Sequence, residues 1–305
     1  LAEIIGGRHT AEADPSINRM TPDGTPPGAE IDPAPSRASR PAAEASLQGE
    51  LPRPLIFVHN IYGEVLVYRA ITRHLLPEFQ VDALAAPIAD GSYRQFQSVE
   101  ELAAGYVRRV LTDHPAGPCL LLGHSVGGLL AFEMARQLAG AGWEVPFLGL
   151  LDARLVHPPD GSRRFADPAC LGHWLRNLPG WAAQFRRARG KRRSLVRERF
   201  HHLLGVEAPE WHKAVDPAHA EYMDWLMGLL RRYRPGPYGG RVVLFRVRAL
   251  PLLSWSREDM GWGSLTRTPP EVRYIPGDHA TMLREPDVAA LAAEIKSALA
   301  APPRP

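Results

Sequence analysis

Cysteine is nearly absent: the 305 residues hold two, Cys119 and Cys170. Two thiols make no disulfide framework and no metal-ligand spacing, so both read as reduced and buried. Long apolar runs are missing as well; none reaches the ~18–20 residues of a membrane-spanning helix. The first residues lack the charged region and apolar core of a signal peptide. The expectation is a cytoplasmic protein with no membrane partner. A strong excess of one charge is also lacking, since the formal net charge is +3, which is thin ground for a nucleic-acid partner. The phosphate-binding pattern G-x-x-x-x-G-K-[ST] does not occur. What remains is an ordinary mixture, 45% hydrophobic and 23% charged, long enough for one large α/β domain with an appendage.

Residues 8–50 contain "PSINRMTPDGTPPGAEIDPAPSRASRPAAEAS". Nothing there is periodic, and too little is apolar to offset the entropy of ordering, so the stretch reads as a flexible linker. From Leu51 the pattern changes. "PLIFVHN" (54–60), "QVDALAAP" (80–87), "PCLLLGH" (118–124), "VPFLGLLDA" (145–153), "RVVLFRVRAL" (241–250) and "EVRYIP" (271–276) read as buried strands. Helical spacing runs through 64–75, 99–114, 126–142 and 287–301. Strands alternating with helices imply a mostly parallel sheet covered on both faces. Segment 153–235 breaks the alternation: helix-like patches lie around 167–177, 181–204 and 216–233, with no convincing strand. A helical insertion between two strands makes a natural lid over their ends. No internal repeat is visible.

The stretch "GHSVG" (123–127) stands where an apolar strand becomes an apolar-periodic helix. That context fits the nucleophile elbow, a turn so tight that the serine backbone is strained and its neighbours must be small. Gly123 and Gly127 meet that need, and Gly128 lets the new helix approach closely. Ser125 then projects at a helix N-terminus, where the free amides and the dipole favour negative charge. The amide of Val126 is placed to donate to an oxyanion.

A neutral serine needs a base, and on an elbow of this kind the order along the chain is Ser, acid, His. His157, His173, His201, His202, His212 and His219 all fall in the insertion. His279, in "YIPGDHATML" between the last strand and the last helix, lies at the sheet edge toward which Ser125 points, and is the candidate base. Asp152 ends the apolar strand "FLGLLD", an expensive place for a carboxylate unless something uses it. It is the candidate acid, holding His279 in the required tautomer. Asp278 and Asp259 are rivals; the position after the 241–250 strand reads "RALPLL" and carries no carboxylate. A second oxyanion donor is sought in the loop "VHNIYGE": the backbone amide of Ile61 first, Asn60 next. His59 reads as a residue that fixes this loop.

With these residues assembled, the chain resembles the thioesterase domains that end nonribosomal peptide synthetases and polyketide synthases. The resemblance covers about 51–300 and rests on "VHNIYGEVLVYRAITRHL", "LLLGHSVGGLLAFEMARQL", "FLGLLDA" and "GDHATML", in that order. His59, Gly63 and Tyr68 match the family's first motif, while Tyr62 stands where its first glycine is usual. The resemblance implies an α/β-hydrolase fold over 51–305, a triad aspartate at Asp152, and a helical lid over 153–235. The implied substrate is an acyl chain thioester-linked to the phosphopantetheine arm of an acyl or peptidyl carrier protein. Ser125 takes up the chain as an ester, and release follows by hydrolysis or cyclisation, with no metal or redox cofactor on the domain. "LAEII" looks like the last helix of a carrier domain, and residues 8–50 like its linker, which places that carrier upstream in cis. A free-standing editing thioesterase or generic serine esterase is the alternative within the fold. A hydrolase fold that has lost catalysis and serves as a binding module is the alternative outside it.

Two features of the insertion carry double readings. "FRRARGKRRSLVRERF" (185–200) is the densest basic run. It reads as a solvated helix face, or as a docking face for an acidic carrier protein or its arm. No aromatics are interleaved with it as in a nucleic-acid stacking platform. Trp174, Trp181, Trp211, Tyr222, Trp225 and Tyr233 read as lid core, or as the lining of an acyl chamber.

Overall fold

The computed structural model describes residues 54–76, 78–115, 118–156, 175, 178, 182, 216–248 and 257–302, all within the unit Ser46–Pro305. The linker, the carrier-like "LAEII", the basic run, the patches 167–177 and 181–204 apart from those single positions, Trp174, Trp181, Trp211 and Cys170 lie outside the described residues. So do the five histidines of the insertion other than His219.

Six strands form one sheet among the described residues: β1 (Leu55–Val58), β2 (Val81–Leu84), β3 (Leu120–His124), β4 (Phe147–Leu151), β5 (Val242–Val247) and β6 (Glu271–Ile275). Their order is β2-β1-β3-β4-β5-β6, and every pairing is parallel. Parallel strands are covered on both faces and so read as continuous apolar runs; β1, β3, β4 and β5 are buried at every position. The α-helices are α1 (Arg69–Leu75), α2 (Val99–Asp113), α3 (Val126–Gly140), α4 (Pro217–Arg232) and α5 (Asp287–Ala300). One core layer packs Ile56, Val58, Leu121, Leu148 and Leu244 against α2, α3 and the inner side of α4. The opposite layer packs Leu55, Phe57, Leu122, Phe245 and Ile275 against α1 and α5.

This arrangement positions the site. The helix after β1 covers one face and the helix after β3 covers the other. The connections leaving these neighbouring strands therefore diverge. The carboxyl ends of β1 and β3 form a topological switch point, where open α/β sheets leave a crevice. Tyr68 ties the two ends together: its hydroxyl donates to Val58 O at 2.7 Å and accepts from the His124 amide at 3.0 Å. The matched tyrosine of the first motif thus acts as a staple across the crevice floor.

The elements follow the sequence reading, with boundaries trimmed for physical reasons. The predicted 80–87 strand stops at Leu84 because its partner β1 ends at Val58, the register partner of Leu84. The predicted 64–75 helix begins late, as a 3₁₀ turn at Leu66–Tyr68. Glu64 does not start it, because its carbonyl is turned back to accept from the Asn60 amide at 3.1 Å instead of reaching forward into a helical turn. In the insertion, α4 confirms the patch at 216–233. Its cap is Asp216, whose side chain accepts from the Ala218 amide, with Pro217 in the first turn. Cys119 is a buried free thiol, its pKa pushed up to about 11 by burial.

Candidate active site

Ser125 sits between β3 and α3 with φ 56° and ψ −120°, a conformation that non-glycine residues rarely adopt. Its amide donates to Leu151 O at 3.0 Å, which binds the elbow to the end of β4. The glycines explain why the turn can be this tight. A Cβ on Gly127 would meet the Val58 carbonyl oxygen at 2.5 Å and the His59 oxygen closer still; one on Gly123 would run into the backbone of Gly127 and Gly128. Alanine at either position must push backbone, not side chain, out of the way.

Asp152 follows β4 immediately and also turns through positive φ, at 46°, tolerable for aspartate. Its amide stays in the sheet, donating to Phe245 O at 2.7 Å. Its side chain, 6% exposed, accepts from His279 Nδ1 at 2.7 Å and from the Val247 amide at 3.3 Å. A carboxylate only accepts, so Nδ1 carries the proton and Nε2 of His279 is left with its lone pair. The His279 side chain is 49% exposed, so that lone pair belongs to a ring open to solvent. The guanidinium charges of Arg154 and Arg246 lie within the field of Asp152, and burial lowers the pKa of both.

The two rival acids are occupied locally. Asp278 accepts from the Ala280 and Thr281 amides, each at 2.9 Å. Asp259 accepts from the amides of Gly261 at 2.9 Å and Gly263 at 3.2 Å. Both carboxylates shape turns.

The loop after β1 is closed on itself. Asn60 Oδ1 accepts from the Tyr62 amide at 2.9 Å as well as from Glu64, and Asn60 O accepts from the Gly63 amide at 3.0 Å. His59, with no exposed surface, donates from Nδ1 to Asn60 O at 2.7 Å. It is a loop-fixing residue. Among the described residues, the amides of Ile61 and Val126 have no protein acceptor. Tyr222 and Tyr233 are buried core residues. Tyr233 donates to the buried Glu133 on α3 at 2.8 Å. Trp225 packs on Tyr93 and Tyr222. His219, at the start of α4, pairs with Asp216 and Glu64 at the surface.

One neighbour escaped the sequence reading. His124, the second residue of "GHSVG", stacks its ring on that of His279, centroids 4.5 Å apart. Its Nε2 donates to the His279 carbonyl at 3.0 Å, so β3 touches a residue 155 positions away. A histidine at the variable position of the elbow was the available signal.

Burial depresses the pKa of His59 to about 4, and that of His124 to about 3 with a further push from His279. Both are neutral in the folded protein at neutral pH. The unfolded chain titrates them near 6.5, so below that pH it binds protons that the folded chain refuses. Stability therefore falls as pH drops from about 6.5 toward about 4, with a slope approaching about 1.4 kcal/mol per unit for each histidine. Urea unfolding between about pH 7 and about pH 5 checks this; a constant unfolding free energy would contradict it.

The family profile described as the thioesterase domain matches residues 53–299. Chondramide synthase of Chondromyces crocatus is 25% identical over 261 residues, which is 80% of this chain and 6% of the synthase. Among solved structures, the NocB thioesterase domain, in covalent complex with a fluorophosphonate nocardicin G analog, is 27% identical with a TM-score of 0.56. The match covers 81% of this chain and 94% of that one. A four-domain nonribosomal peptide synthetase bound to AMP and glycine is 26% identical with a TM-score of 0.57, covering 82% of this chain and 20% of its own. The chain spans about a quarter or less of the length of the curated relatives it matches.

Proposed function

The chain belongs to the thioesterase domain family, and from that premise we propose that it releases an acyl chain from the phosphopantetheine thioester of a carrier protein through an ester on Ser125. The observation that carries this reading is the His279–Asp152 pair at 2.7 Å, built from the loop after β6 and the end of β4, around the strained elbow. Ser125 Oγ attacks the thioester carbonyl and its proton passes to Nε2 of His279. The negative oxygen that forms is met by the amides of Val126 and Ile61. Collapse breaks the C–S bond, and the departing sulfur takes the proton from His279. A water or an internal amine or hydroxyl then repeats the attack on the ester, giving an acid or a ring. Asp152 keeps Nδ1 protonated throughout and stabilises the imidazolium. That the NocB thioesterase domain forms a covalent complex with a fluorophosphonate nocardicin G analog supports a covalent route as the reading here.

A carrier partner is part of the proposal, supported by the matches to long synthetases. The test compares one acyl group on a holo carrier protein with the same group on free pantetheine. The carrier-bound form is expected to show at least about tenfold higher kcat/KM, about 1.4 kcal/mol of extra recognition. Equal values would favour a generic esterase.

A further inference from the structure

Three buried rings stand behind the Ile61 loop. His59 Nε2 lies 2.8 Å from the Tyr106 hydroxyl on α2 and 3.2 Å from the Tyr222 hydroxyl on α4. Their separations in sequence are 47 and 163 residues. All three side chains are nearly or fully buried, so each polar atom must find its partner inside the protein.

Proton counting fixes the direction of this chain. The Asn60 carbonyl only accepts, so His59 Nδ1 is its donor and His59 Nε2 is bare. A bare Nε2 only accepts, so both hydroxyls donate toward it, Tyr106 from 2.8 Å and Tyr222 from 3.2 Å. The order runs from the two tyrosine hydroxyls to His59 to Asn60 O. The Asn60 carbonyl and the Ile61 amide belong to one peptide unit, which is planar and trans. Pinning the oxygen, by His59 from one side and by the Gly63 amide at 3.0 Å, therefore aims the Ile61 N–H in the opposite direction.

We propose that Tyr106 and Tyr222 are positioning residues for the oxyanion donor: they lock the His59 tautomer that orients the Asn60–Ile61 peptide, and they make that orientation depend on the seating of helix α4. Tyr222 sits on the helix that returns the insertion to the sheet. Displacing α4 removes one of the two donors to His59 Nε2 and loosens the peptide plane that faces the substrate carbonyl. The inference rests on the reading of Ile61 as an oxyanion donor.

The experiment uses the full chain and a butyryl thioester of N-acetylcysteamine. Tyr106→Phe and Tyr222→Phe each remove one hydroxyl and keep the ring. Each is expected to lower kcat by about tenfold or more while KM stays within about twofold, because the loss is confined to the transition state. A third variant replaces the Asn60–Ile61 peptide bond by an ester, deleting the N–H and keeping the shape; it is expected to lose about 10²–10³-fold in kcat. Combined with the ester, Tyr106→Phe should have no further effect, since the donor it positions is gone. A slow ester variant with tyrosine variants at full rate overturns the inference alone. Tyrosine effects that persist undiminished in the ester background also overturn it, because they show a merely structural loss. A full-rate ester variant overturns the Ile61 assignment and the inference with it. If Tyr106→Phe fails to fold, the Tyr222→Phe arm, alone and with the ester, decides by the same criteria.

Discussion

Ser125→Ala is expected to remove turnover to within the slow background left by binding and the oxyanion amides, a loss on the order of 10⁴–10⁶-fold in kcat. The loss is chemical, not structural. Alanine keeps the Cβ that already sits at φ 56°, so the elbow strain is the same and the fold should melt as the parent does. Ser125→Gly separates the two effects further. It is equally inactive, yet glycine adopts that backbone freely, so relief of roughly 1–3 kcal/mol of strain outweighs the extra entropy glycine loses on folding, about 0.5–1 kcal/mol. The glycine variant should therefore unfold at a higher temperature than the alanine variant. Steady-state rates on a small acyl thioester and a melting curve check both halves. Turnover by Ser125→Ala would remove the nucleophile from the account.

Asp152→Asn should cost on the order of 10³–10⁴ in kcat, about 4–5.5 kcal/mol of transition-state stabilisation, with little change in KM. The carboxylate accepts from His279 Nδ1 and from the Val247 amide. An asparagine can still accept from Val247 through its oxygen, but it then presents N–H groups toward Nδ1. The ring answers by moving its proton to Nε2, the atom that must be bare to take the serine proton. The imidazolium that forms in each half-reaction also loses its buried counter-charge. Asp259→Asn and Asp278→Asn disturb turns without touching the His279–Asp152 hydrogen bond and should leave most of the rate. Kinetics on the three variants decide the acid; a near-parental Asp152→Asn would return the role to one of the rivals.

The chemistry was legible in the sequence to the extent that it was written locally. The elbow needs three small residues around one serine at a strand-to-helix turn, and that demand is met within six consecutive residues, Gly123–Gly128. Among the described residues, the period of the apolar positions marked all six strands and all five helices, the first helix with its start trimmed. Asp152 stood out because a carboxylate at the end of an apolar strand calls for a partner. That partner is His279, 127 residues away, and only the folded sheet joins them.

What periodicity does not encode is polar contact between distant elements. Tyr106 and Tyr222 look like core residues in their own segments and His59 like a residue that fixes its loop; nothing local shows that their polar atoms meet. His124 was hidden differently, as the last residue of a strand pattern, though its ring lies on His279. Arg246 is fully buried in β5, where an apolar residue is the default. Its guanidinium donates to the carbonyls of Arg257 at 2.7 Å and Glu258 at 3.0 Å, beyond the strand's own sequence context. The late start of the helix after β1 arose likewise from the loop, whose Asn60 amide holds the Glu64 carbonyl that helical spacing alone assigns to the helix.

The central claim is covalent catalysis at Ser125, and intact mass tests it most directly. The protein is mixed with a short acyl thioester, quenched in acid within the first turnover, and weighed beside Ser125→Ala; a peptide digest then locates any adduct. The account predicts one acyl increment on the parent, mapped to the peptide carrying Ser125, and none on the variant. Hydrolysis at full rate with no adduct trapped at any time, or an increment that survives Ser125→Ala on another residue, would contradict it.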